Sequence, residues 1–504
     1  MIGIKKKKFY ITTSIMYTNA KPHIGFALEL IQADALARAH RLNGDEVFFL
    51  TGTDEHGVKI QKAAMDAKKD PHKFVDEIAE QVQELVGVLK ISNDSFIRTT
   101  DKEVHWPNVE KIWETLEENG DLYRKKYTGY YCIGCEAFKT DRDLVNGVCP
   151  IHEKKPELVD EDNFFFKLSK YQNKLIELIE SDKLQIVPKE RKTEILNFIK
   201  SGLEDVSFSR SRKALAWGIP VPGSNDQTMY VWCDALVNYL SGIGYSSDKK
   251  KFEKFWPADV HMIGKDILRF HAVFWPAMLL SAGIELPKVI FVHGFMTAQG
   301  KKMSKSLGNV VYPVDYVKKY SSDALRYYLF RDIPSSNDGD FNESVMIQRI
   351  NANLAGDLGN LVYRVLTMAE KSFEGKVPAP SKDSLSKIAA GIPKKLMIDI
   401  DEYNFQGALD EIWKLVTESN KYINVKEPWK IKDKKELGKV IYELLESLRV
   451  IAILINPFMP EASEKMLEQL GLDKNISFKD LKWGGLKKGT VVKKGKIMFN
   501  KVEV

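Results

Sequence analysis

Cysteine is scarce in this sequence, with four residues among 504. So few cysteines exclude a disulfide framework, and because three of them lie close together they indicate a metal site. No apolar run approaches the ~20 residues that a transmembrane helix needs. The N-terminal residues 1–8 carry lysines where a signal peptide would have its apolar core. We therefore expect a cytoplasmic protein with no membrane partner.

The chain also has only a small excess of basic over acidic residues. The chain has 75 Lys and Arg against 69 Asp and Glu, a formal net charge of +6. This excess is compatible with a polyanionic partner but does not identify one. The length allows several domains, and the 44% hydrophobic and 29% charged fractions are those of a globular protein.

The first turn of the chain carries the strongest local signal. An apolar run at 9–15 predicts a buried strand, and an apolar helical pattern begins near Leu28. Between them, residues 17–26 read Tyr-Thr-Asn-Ala-Lys-Pro-His-Ile-Gly-Phe. In an open parallel sheet such a turn binds nucleotides, because the helix N-terminus offers free N–H groups. His23 can donate to a phosphate oxygen, and Gly25 permits close approach.

Apolar strands alternate with helical stretches up to about residue 330, as βαβ units require. After the first strand, we predict strands at 46–50, 229–234, 259–264 and 289–293. From about residue 345 the pattern is helical and typical of a separate bundle, with stretches at 345–371, 384–400, 406–423 and 435–456. The predicted class is α/β, with a Rossmann-type doubly wound parallel sheet followed by an α-helical domain. We expect the Lys- and Gly-rich tail, 472–504, to pack back as an extended segment.

The clustered cysteines have the spacing of zinc ligands. Cys132 and Cys135 form one pair, and thirteen residues later Cys149 and His152 form a second. Two such knuckles match one tetrahedral Cys₃His zinc site. No ligand position is left open, so the predicted Zn²⁺ is structural. The surrounding segment interrupts the βα pattern and is predicted to be an insertion that splits the sheet.

Two short motifs together resemble the signatures of class I aminoacyl-tRNA synthetases: His23-Ile-Gly-Phe26 and Lys302-Met-Ser-Lys-Ser306. The finer sequence resembles the methionyl-tRNA synthetase family. Motifs that stand in the family's order are Tyr17-Thr-Asn, Thr51-Gly-Thr-Asp-Glu-His-Gly57, Trp217-Gly-Ile-Pro-Val-Pro, Val231-Trp-Cys-Asp-Ala235, Ile263-Gly-Lys-Asp-Ile267 and Val292-His-Gly294. The resemblance covers essentially the whole chain.

This resemblance implies a methionine–tRNA ligase. Such an enzyme would convert methionine and ATP, which binds with Mg²⁺, to methionyl-adenylate and pyrophosphate, and would then charge the 3′-terminal adenosine of tRNA(Met), including the initiator. The implied domains are 1–119 and 226–330 (the two Rossmann halves), 120–225 (the zinc insertion), 331–350 (a linking segment) and 351–504 (the anticodon-binding domain with its tail). The appended β-barrel of some members has no room here, so we expect a monomer.

The resemblance also implies roles for individual residues. The implied catalytic residues are His23, Lys302, Lys305 and Arg210. The ATP-binding set adds Gly25, Gly264, Asp266 and His293. Methionine would contact Ile15, Tyr17, Asp54, Trp232, Ala235, Tyr239 and His271, with Asp54 binding its ammonium group. Anticodon bases would contact Asn353, Arg364 and Trp429.

Two positions depart from the family's pattern or leave it open. Phe26 stands where the family usually has a second histidine, and phenylalanine cannot donate to a phosphate. Arg212 lies close to Arg210, so the register of the active-site arginine is open. Two alternatives therefore remain: a synthetase for another amino acid such as cysteine, leucine or valine, and a non-catalytic tRNA-binding paralogue.

Overall fold

The computed structural model describes residues 7–134, 136–139, 143–150, 153–303 and 308–503. Its strands, in chain order, are β1 (Lys8–Thr13), β2 (Met16–Tyr17), β3 (Glu46–Asp54), β4 (Ser95–Arg98), β5 (Leu122–Cys132), β6 (Ala137–Lys139), β7 (Glu157–Phe166), β8 (Gln185–Val187), β9 (Val206–Ser207), β10 (Ser209–Ser211), β11 (Gln227–Met229), β12 (Val260–Gly264), β13 (Val289–His293), β14 (Met296–Ala298), β15 (Lys301–Lys302) and β16 (Gly339–Phe341).

The α-helices, in chain order, are α1 (Ile24–Asn43), α2 (Val58–Asp66), α3 (Pro71–Val88), α4 (Trp106–Glu118), α5 (Gln172–Glu180), α6 (Lys189–Lys200), α7 (Val231–Ala235), α8 (Asn238–Ser241), α9 (Lys249–Phe255), α10 (Trp275–Ser281), α11 (Pro313–Tyr320), α12 (Ser322–Asp332), α13 (Glu343–Arg349), α14 (Asn360–Phe373), α15 (Ser384–Asp401), α16 (Phe405–Lys426), α17 (Lys434–Leu454) and α18 (Pro460–Gln469). No helix in the described part of the chain is long and apolar enough to cross a membrane.

Seven parallel strands form the central sheet, in the order β4, β3, β1, β12, β13, β8, with β2 paired to the end of β3. In chain order, β3 and β4 extend the sheet on one side of β1, and β12 and β13 later extend it on the other side. The order of the strands therefore reverses between β1 and β12. A crevice at the carboxyl ends of the strands on either side of such a reversal is where open α/β sheets bind their ligands. The predicted doubly wound α/β class is confirmed.

Two hydrophobic cores lie on opposite faces of the sheet. Along β1, Phe9 and Ile11 belong to one core and Tyr10 to the other, as the two-residue period of a strand dictates. The first core also contains α1 and continues into the helical domain through α12. Because this core is continuous, the helical domain is packed against the sheet.

The segment between α4 and α7 forms a small antiparallel sheet of its own, in which β5 pairs along most of its length with β7. However, β8 leaves this segment and pairs with β13 at the edge of the central sheet. The domain boundaries stay a prediction, but the segment 120–225 therefore contributes a strand to the central sheet.

One predicted strand is wrong. Residues 229–234 do not join the central sheet: β11 ends at Met229 and pairs with β10, and the following residues form the short helix α7. The apolar run is too short for periodicity to distinguish a strand from a buried helix. The helical turn places Asp234 in the protein interior, where its carboxylate has hydrogen-bond partners.

The helical domain matches its predicted stretches, with one change of geometry. A π-helical segment, Ile350–Gly359, interrupts the helix between α13 and α14. Such segments are rare and frequently lie at functional sites. The segment 331–350, predicted as a link, contains β16, which pairs with β14. The tail packs back, with Val492 and Phe499 buried, but it contains a 3₁₀ helix, Phe478–Leu481, and turns instead of a single extended segment.

Candidate active site

The phosphate turn lies between β2 and α1. His23 is the N-cap residue of α1, and its Nδ1 accepts a hydrogen bond from the Gly25 amide at 3.1 Å. A Cβ atom at Gly25 would lie 3.0 Å from the His23 ring, so glycine permits this arrangement. With Nδ1 acting as an acceptor, the neutral ring carries its proton on Nε2. The side chain is exposed, but desolvation by the surrounding protein lowers the pKa of His23, which favours this neutral donor form.

Phe26 packs into the core and does not face the phosphate turn, where the family's second histidine would donate to a phosphate. Its side chain is only 8% exposed and belongs to the core on the α1 side of the sheet. The ring therefore has a packing role in this chain.

The predicted ATP-binding residues Gly264, Asp266 and His293 lie across the reversal point from His23. Gly264 and His293 end the neighbouring strands β12 and β13 and stand directly opposite each other. A Cβ atom at Gly264 would lie 2.9 Å from an Asp266 carboxylate oxygen and 3.6 Å from the His293 ring. Glycine is required here because these two side chains occupy the space. The structure thus brings Gly264, Asp266 and His293 together.

His293 is already held by the protein. Its Nε2 lies 2.8 Å from the Glu29 carboxylate and its Nδ1 lies 2.8 Å from the Gly294 carbonyl oxygen. Both partners accept, so the imidazolium form satisfies both. Burial alone would lower the pKa of His293, but the Glu29 carboxylate raises it. Glu29 also accepts from the Ser14 amide and hydroxyl, so this pair fixes the orientation of the His293 ring at the carboxyl end of β13.

The lysine loop extends from β15. Lys302 is exposed and ends β15, which pairs with β14 in a small sheet. The base of the loop is held by Asp340, whose carboxylate accepts from the Gly300 amide at 2.8 Å and the Thr297 hydroxyl at 2.6 Å. Lys305 lies outside the described residues.

Asp54 is the most unusual group in the crevice. It ends β3, is only 5% exposed, and its carboxylate has one weak hydrogen bond, 3.4 Å from the His56 amide. Within the described ranges no cation pairs with it. Burial, followed by the nearby Asp234 and Glu136 carboxylates, raises the pKa of Asp54 well above its usual range. A bound ammonium group would relieve this cost, because buried charges are stable only when they are paired.

The predicted methionine pocket has an aromatic wall that is fixed by hydrogen bonds. The Tyr239 hydroxyl lies 2.7 Å from His271 Nε2, and His271 Nδ1 lies 3.0 Å from the Ile267 carbonyl. Because that carbonyl only accepts, Nδ1 carries the proton and Nε2 accepts from Tyr239. Burial lowers the pKa of His271 to about 4, so the ring is neutral. Trp232 stacks on Phe270 with ring centroids 3.8 Å apart.

The remaining predicted methionine residues lie at the same end of the sheet. Ile15 lies between β1 and β2, Tyr17 pairs with Asp54 across the strands, and Ala235 is the last residue of α7. The structure therefore places Ile15, Tyr17 and Asp54 at the carboxyl ends of β1 to β3, and it brings Tyr239, His271 and Trp232 together. Their individual roles stay predictions.

A buried hydrogen-bond network that the sequence did not predict lies behind this pocket. Asp234 accepts from His56 Nδ1 at 2.6 Å and from His105 Nε2 at 2.8 Å. Burial alone would raise the pKa of Asp234, but the two histidines hold it below its usual value. The network joins the loop after Asp54 to α7, which carries Trp232. The signal was available, since His56 and Asp234 both lie inside the motifs quoted above.

Glu136 is a second residue that was missed. It extends from the insertion, accepts from the Tyr17 hydroxyl and, at 3.0 Å, from the Lys59 amide in the first turn of α2. A Cβ atom at Gly57 would lie 2.5 Å from its carboxylate. Glu136 thereby joins the insertion to Tyr17 and to the loop that follows Asp54.

Arg210 is buried in the base of the insertion rather than exposed in the crevice. Its guanidinium forms two hydrogen bonds with Glu161, at 2.8 and 3.0 Å, and lies 3.9 Å from the Tyr131 ring centroid. One terminal nitrogen, Nη1, has no hydrogen-bond partner. Arg212 is exposed. The predicted catalytic role of Arg210 stays a prediction.

Only half of the predicted zinc ligands can be placed. Cys132 ends β5 and Cys149 forms an isolated bridge with Lys154, and both thiols are buried. Cys135 and His152 lie outside the described residues. Buried thiols are common ligands of structural zinc ions, and the zinc site stays a prediction.

The predicted anticodon residues lie on the helical domain and are less tightly held. Trp429 is 61% exposed after α16. Arg364, on α14, has one hydrogen bond, 3.3 Å from the Asn424 side-chain oxygen. Asn353, in the π-helical segment, donates to Asp357 at 3.1 Å, and its own side-chain oxygen has no partner.

Two family models cover nearly all of the chain. The model described as "tRNA synthetases class I (M)" matches residues 9–154 and 142–366. The model described as "Anticodon binding domain of methionyl tRNA ligase" matches residues 375–504. The chain belongs to the methionyl-tRNA synthetase family.

Individual proteins of this family match over their length. A methionine–tRNA ligase from Caldanaerobacter subterraneus is 48% identical over 99% of this chain and 80% of its own. One from Brucella suis is 43% identical over 93% of each chain. Among solved structures, Mycobacterium tuberculosis methionyl-tRNA synthetase in complex with methionyl-adenylate superimposes with a TM-score of 0.94 at 39% identity, covering 98% of this chain and 99% of the other. The chain is therefore an aminoacyl-tRNA-forming enzyme of this family.

Proposed function

We propose that this chain, a methionine–tRNA ligase by family, performs both steps of aminoacylation in the crevice at the carboxyl end of the sheet. In the first step a methionine carboxylate oxygen attacks the α-phosphorus of ATP. The bond from that phosphorus to the bridging oxygen breaks, and pyrophosphate leaves with the electron pair. In the second step a ribose hydroxyl of the terminal tRNA adenosine attacks the acyl carbon and displaces AMP.

The observation that carries this proposal is the state of Asp54. A buried carboxylate without a cation partner in the described structure ends β3, and it lies within electrostatic range of Asp234 in α7, the helix that carries Trp232. A zwitterionic amino acid supplies the missing ammonium group and presents its carboxylate towards the nucleotide. Aromatic rings suit a thioether, since sulfur–ring contacts contribute about 0.3–1.5 kcal/mol.

The first step needs positive charge and positioning more than covalent help. We assign His23 Nε2 and the N-terminus of α1 to the phosphates, and Gly264 and Asp266 to the ribose. His293, held by Glu29 and the Gly294 carbonyl, lies opposite Gly264 at the carboxyl end of β13. Lys302 and Lys305 would contact the departing pyrophosphate, and Mg²⁺ accompanies ATP in this family.

Three finer parts of the proposal concern partners and metal. The tRNA is tRNA(Met), including the initiator, and its anticodon bases contact Asn353, Arg364 and Trp429. Cys132, Cys135, Cys149 and His152 hold one zinc ion, which stabilises the fold of the insertion. The protein acts as a monomer, which light scattering of the purified chain tests.

ATP–pyrophosphate exchange tests the function. We expect exchange that depends on methionine and is absent with cysteine, leucine or valine. Exchange with one of those amino acids instead would contradict the specificity, and the absence of exchange with any amino acid would favour a non-catalytic paralogue. Asp66→Asn, which changes an exposed residue at the end of α2, is a matched control for variants of Asp54.

A further inference from the structure

The last part of the chain carries the entire charge excess. The whole sequence has a formal net charge of +6. Residues 487–501 contain six lysines and no Asp or Glu, so the remainder of the chain is balanced. These lysines are Lys487, Lys488, Lys493, Lys494, Lys496 and Lys501. A concentration of one sign in a short segment creates a local field that a dispersed excess does not.

The six lysines are exposed, and within the part of the chain that the structure describes none of them forms an ion pair with a carboxylate. Lysines elsewhere on the helical domain commonly do: Lys439 lies 2.6 Å from Glu436, and Lys474 lies 3.1 Å from Glu464. The tail therefore presents cations that have no carboxylate partner within the described protein.

Backbone hydrogen bonds fix this segment against the helical domain. The Val492 amide donates to the Gly375 carbonyl at 2.7 Å, just after α14. The next amide, that of Lys493, donates to the Gln469 carbonyl at 2.8 Å at the end of α18. With Val492 and Phe499 buried on either side, the positions of the intervening lysines are set by the fold.

The segment also runs beside the helix that carries predicted anticodon contacts. Lys494 Nζ lies 4.8 Å from the ring centroid of Tyr363, which is 44% exposed and precedes Arg364 in α14. Farther on, Val502 exchanges two hydrogen bonds with Asn351, at 2.8 and 2.9 Å, in the π-helical segment that contains Asn353. The tail thus follows the surface from the end of α14 to the π-helical segment.

We propose that Lys493, Lys494 and Lys496 form a phosphate strip that binds the sugar–phosphate backbone of the tRNA beside its anticodon. This inference rests on the proposed function, because it presumes a tRNA on the helical domain. Lysine is suited to the task as a flexible point charge. Phosphate contacts position an RNA without reading its sequence, and the strip would therefore add affinity while the anticodon residues supply specificity.

The test is the triple variant Lys493→Ala, Lys494→Ala, Lys496→Ala of the full chain. Each lost phosphate contact removes about 0.7–0.9 from the slope of log affinity against log salt concentration. We expect that slope to fall by about 2 and the KM for tRNA to rise about tenfold at moderate salt. Methionine-dependent pyrophosphate exchange should be unchanged, since it needs no tRNA.

The matched control is Lys183→Ala, Lys189→Ala, Lys250→Ala, which removes three exposed lysines that also lack ion pairs in the described structure and that lie in the sheet-containing part of the chain. An unchanged salt slope in the tail variant would overturn the strip, as would an equal fall in the control. A wild-type chain without methionine-dependent exchange would instead overturn the proposed function. The two failures are therefore distinguishable.

Discussion

Polar groups at the carboxyl end of the sheet are fixed by buried hydrogen bonds, whereas those of the predicted anticodon surface are more exposed and have fewer contacts. In the crevice, Tyr239 fixes His271, and His56 with His105 fixes Asp234, all by buried hydrogen bonds. On the helical domain Trp429 is largely exposed and Arg364 has a single long contact. A small zwitterion needs preorganised groups, because an error of 1 Å is a large part of its size. Unstacked RNA bases are instead bound by exposed rings and amides.

The largest expected effect is that of Asp54→Asn. The amide keeps the shape of the side chain but removes the charge that would pair with the methionine ammonium. Breaking a buried ion pair costs about 3–5 kcal/mol, so we expect kcat/KM for methionine in pyrophosphate exchange to fall on the order of a thousandfold, with a far smaller change in the KM for ATP.

The pH dependence of methionine binding sharpens this prediction. Burial and the neighbouring carboxylates raise the pKa of Asp54, so the free enzyme protonates this group at a higher pH than an ordinary aspartate. The ammonium group binds only the ionised form, and the dissociation constant for methionine should therefore rise as pH falls through that pKa. Titration calorimetry at several pH values measures it. If the Asp54→Asn variant showed the same pH dependence of methionine binding as the wild type, the assignment of Asp54 to the ammonium group would be contradicted.

Trp429→Ala comes next and acts on the other region. Loss of base stacking costs about 1–3 kcal/mol, so we expect aminoacylation at subsaturating tRNA to fall about ten- to a hundredfold. Pyrophosphate exchange should be nearly unchanged. Trp429→Phe retains a stacking face and should recover most of the loss. An equal loss of exchange and aminoacylation in the alanine variant would remove Trp429 from the anticodon surface.

Asp234→Asn tests whether the buried network positions the pocket. The amide cannot accept from both histidines as strongly as a carboxylate does, so α7 and the loop after Asp54 should lose their alignment. Charge-assisted hydrogen bonds contribute roughly 1.5–3 kcal/mol each, and we expect the KM for methionine to rise about tenfold while the KM for ATP stays unchanged. Equal changes in both constants would indicate a purely structural role, as would full rescue of methionine binding at low temperature.

How far the sequence predicts the molecule differs between these regions. The helices α15 to α17 follow from long apolar patterns, because periodicity reports which face is buried. The strands β12 and β13 are predicted from apolar runs of only five or six residues, a length at which strand and helix are not distinguished by periodicity. The helix α7 does not follow from such a run, since five apolar-rich residues fit a strand equally well. The contacts of Asp234 with His56 and His105 join residues 178 and 129 positions apart. No local pattern contains such a pairing.

The same limit applies to the helical domain. The predicted anticodon residues Asn353 and Arg364 share a face of an ideal α-helix. The π-helical segment changes the number of residues per turn within this stretch, which alters the angle between the two side chains. Helical periodicity cannot reveal this change, because the apolar residues Leu354 and Leu358 remain buried in either geometry.

The smallest expected effect is that of Phe26→His, which returns the family's usual residue to the phosphate turn. Phe26 is packed in the core beside α1, so the introduced imidazole would be buried without a designed hydrogen-bond partner. Burying such a polar group costs about 1–3 kcal/mol, and we expect a lower thermal unfolding midpoint with no increase in the kcat of pyrophosphate exchange. In the proposed arrangement His23 contacts the phosphates without a donor at position 26. A severalfold increase in kcat would show that a side chain at position 26 reaches the phosphates. In that case this chain has lost the phosphate donor of its family, and no other group has replaced that donor.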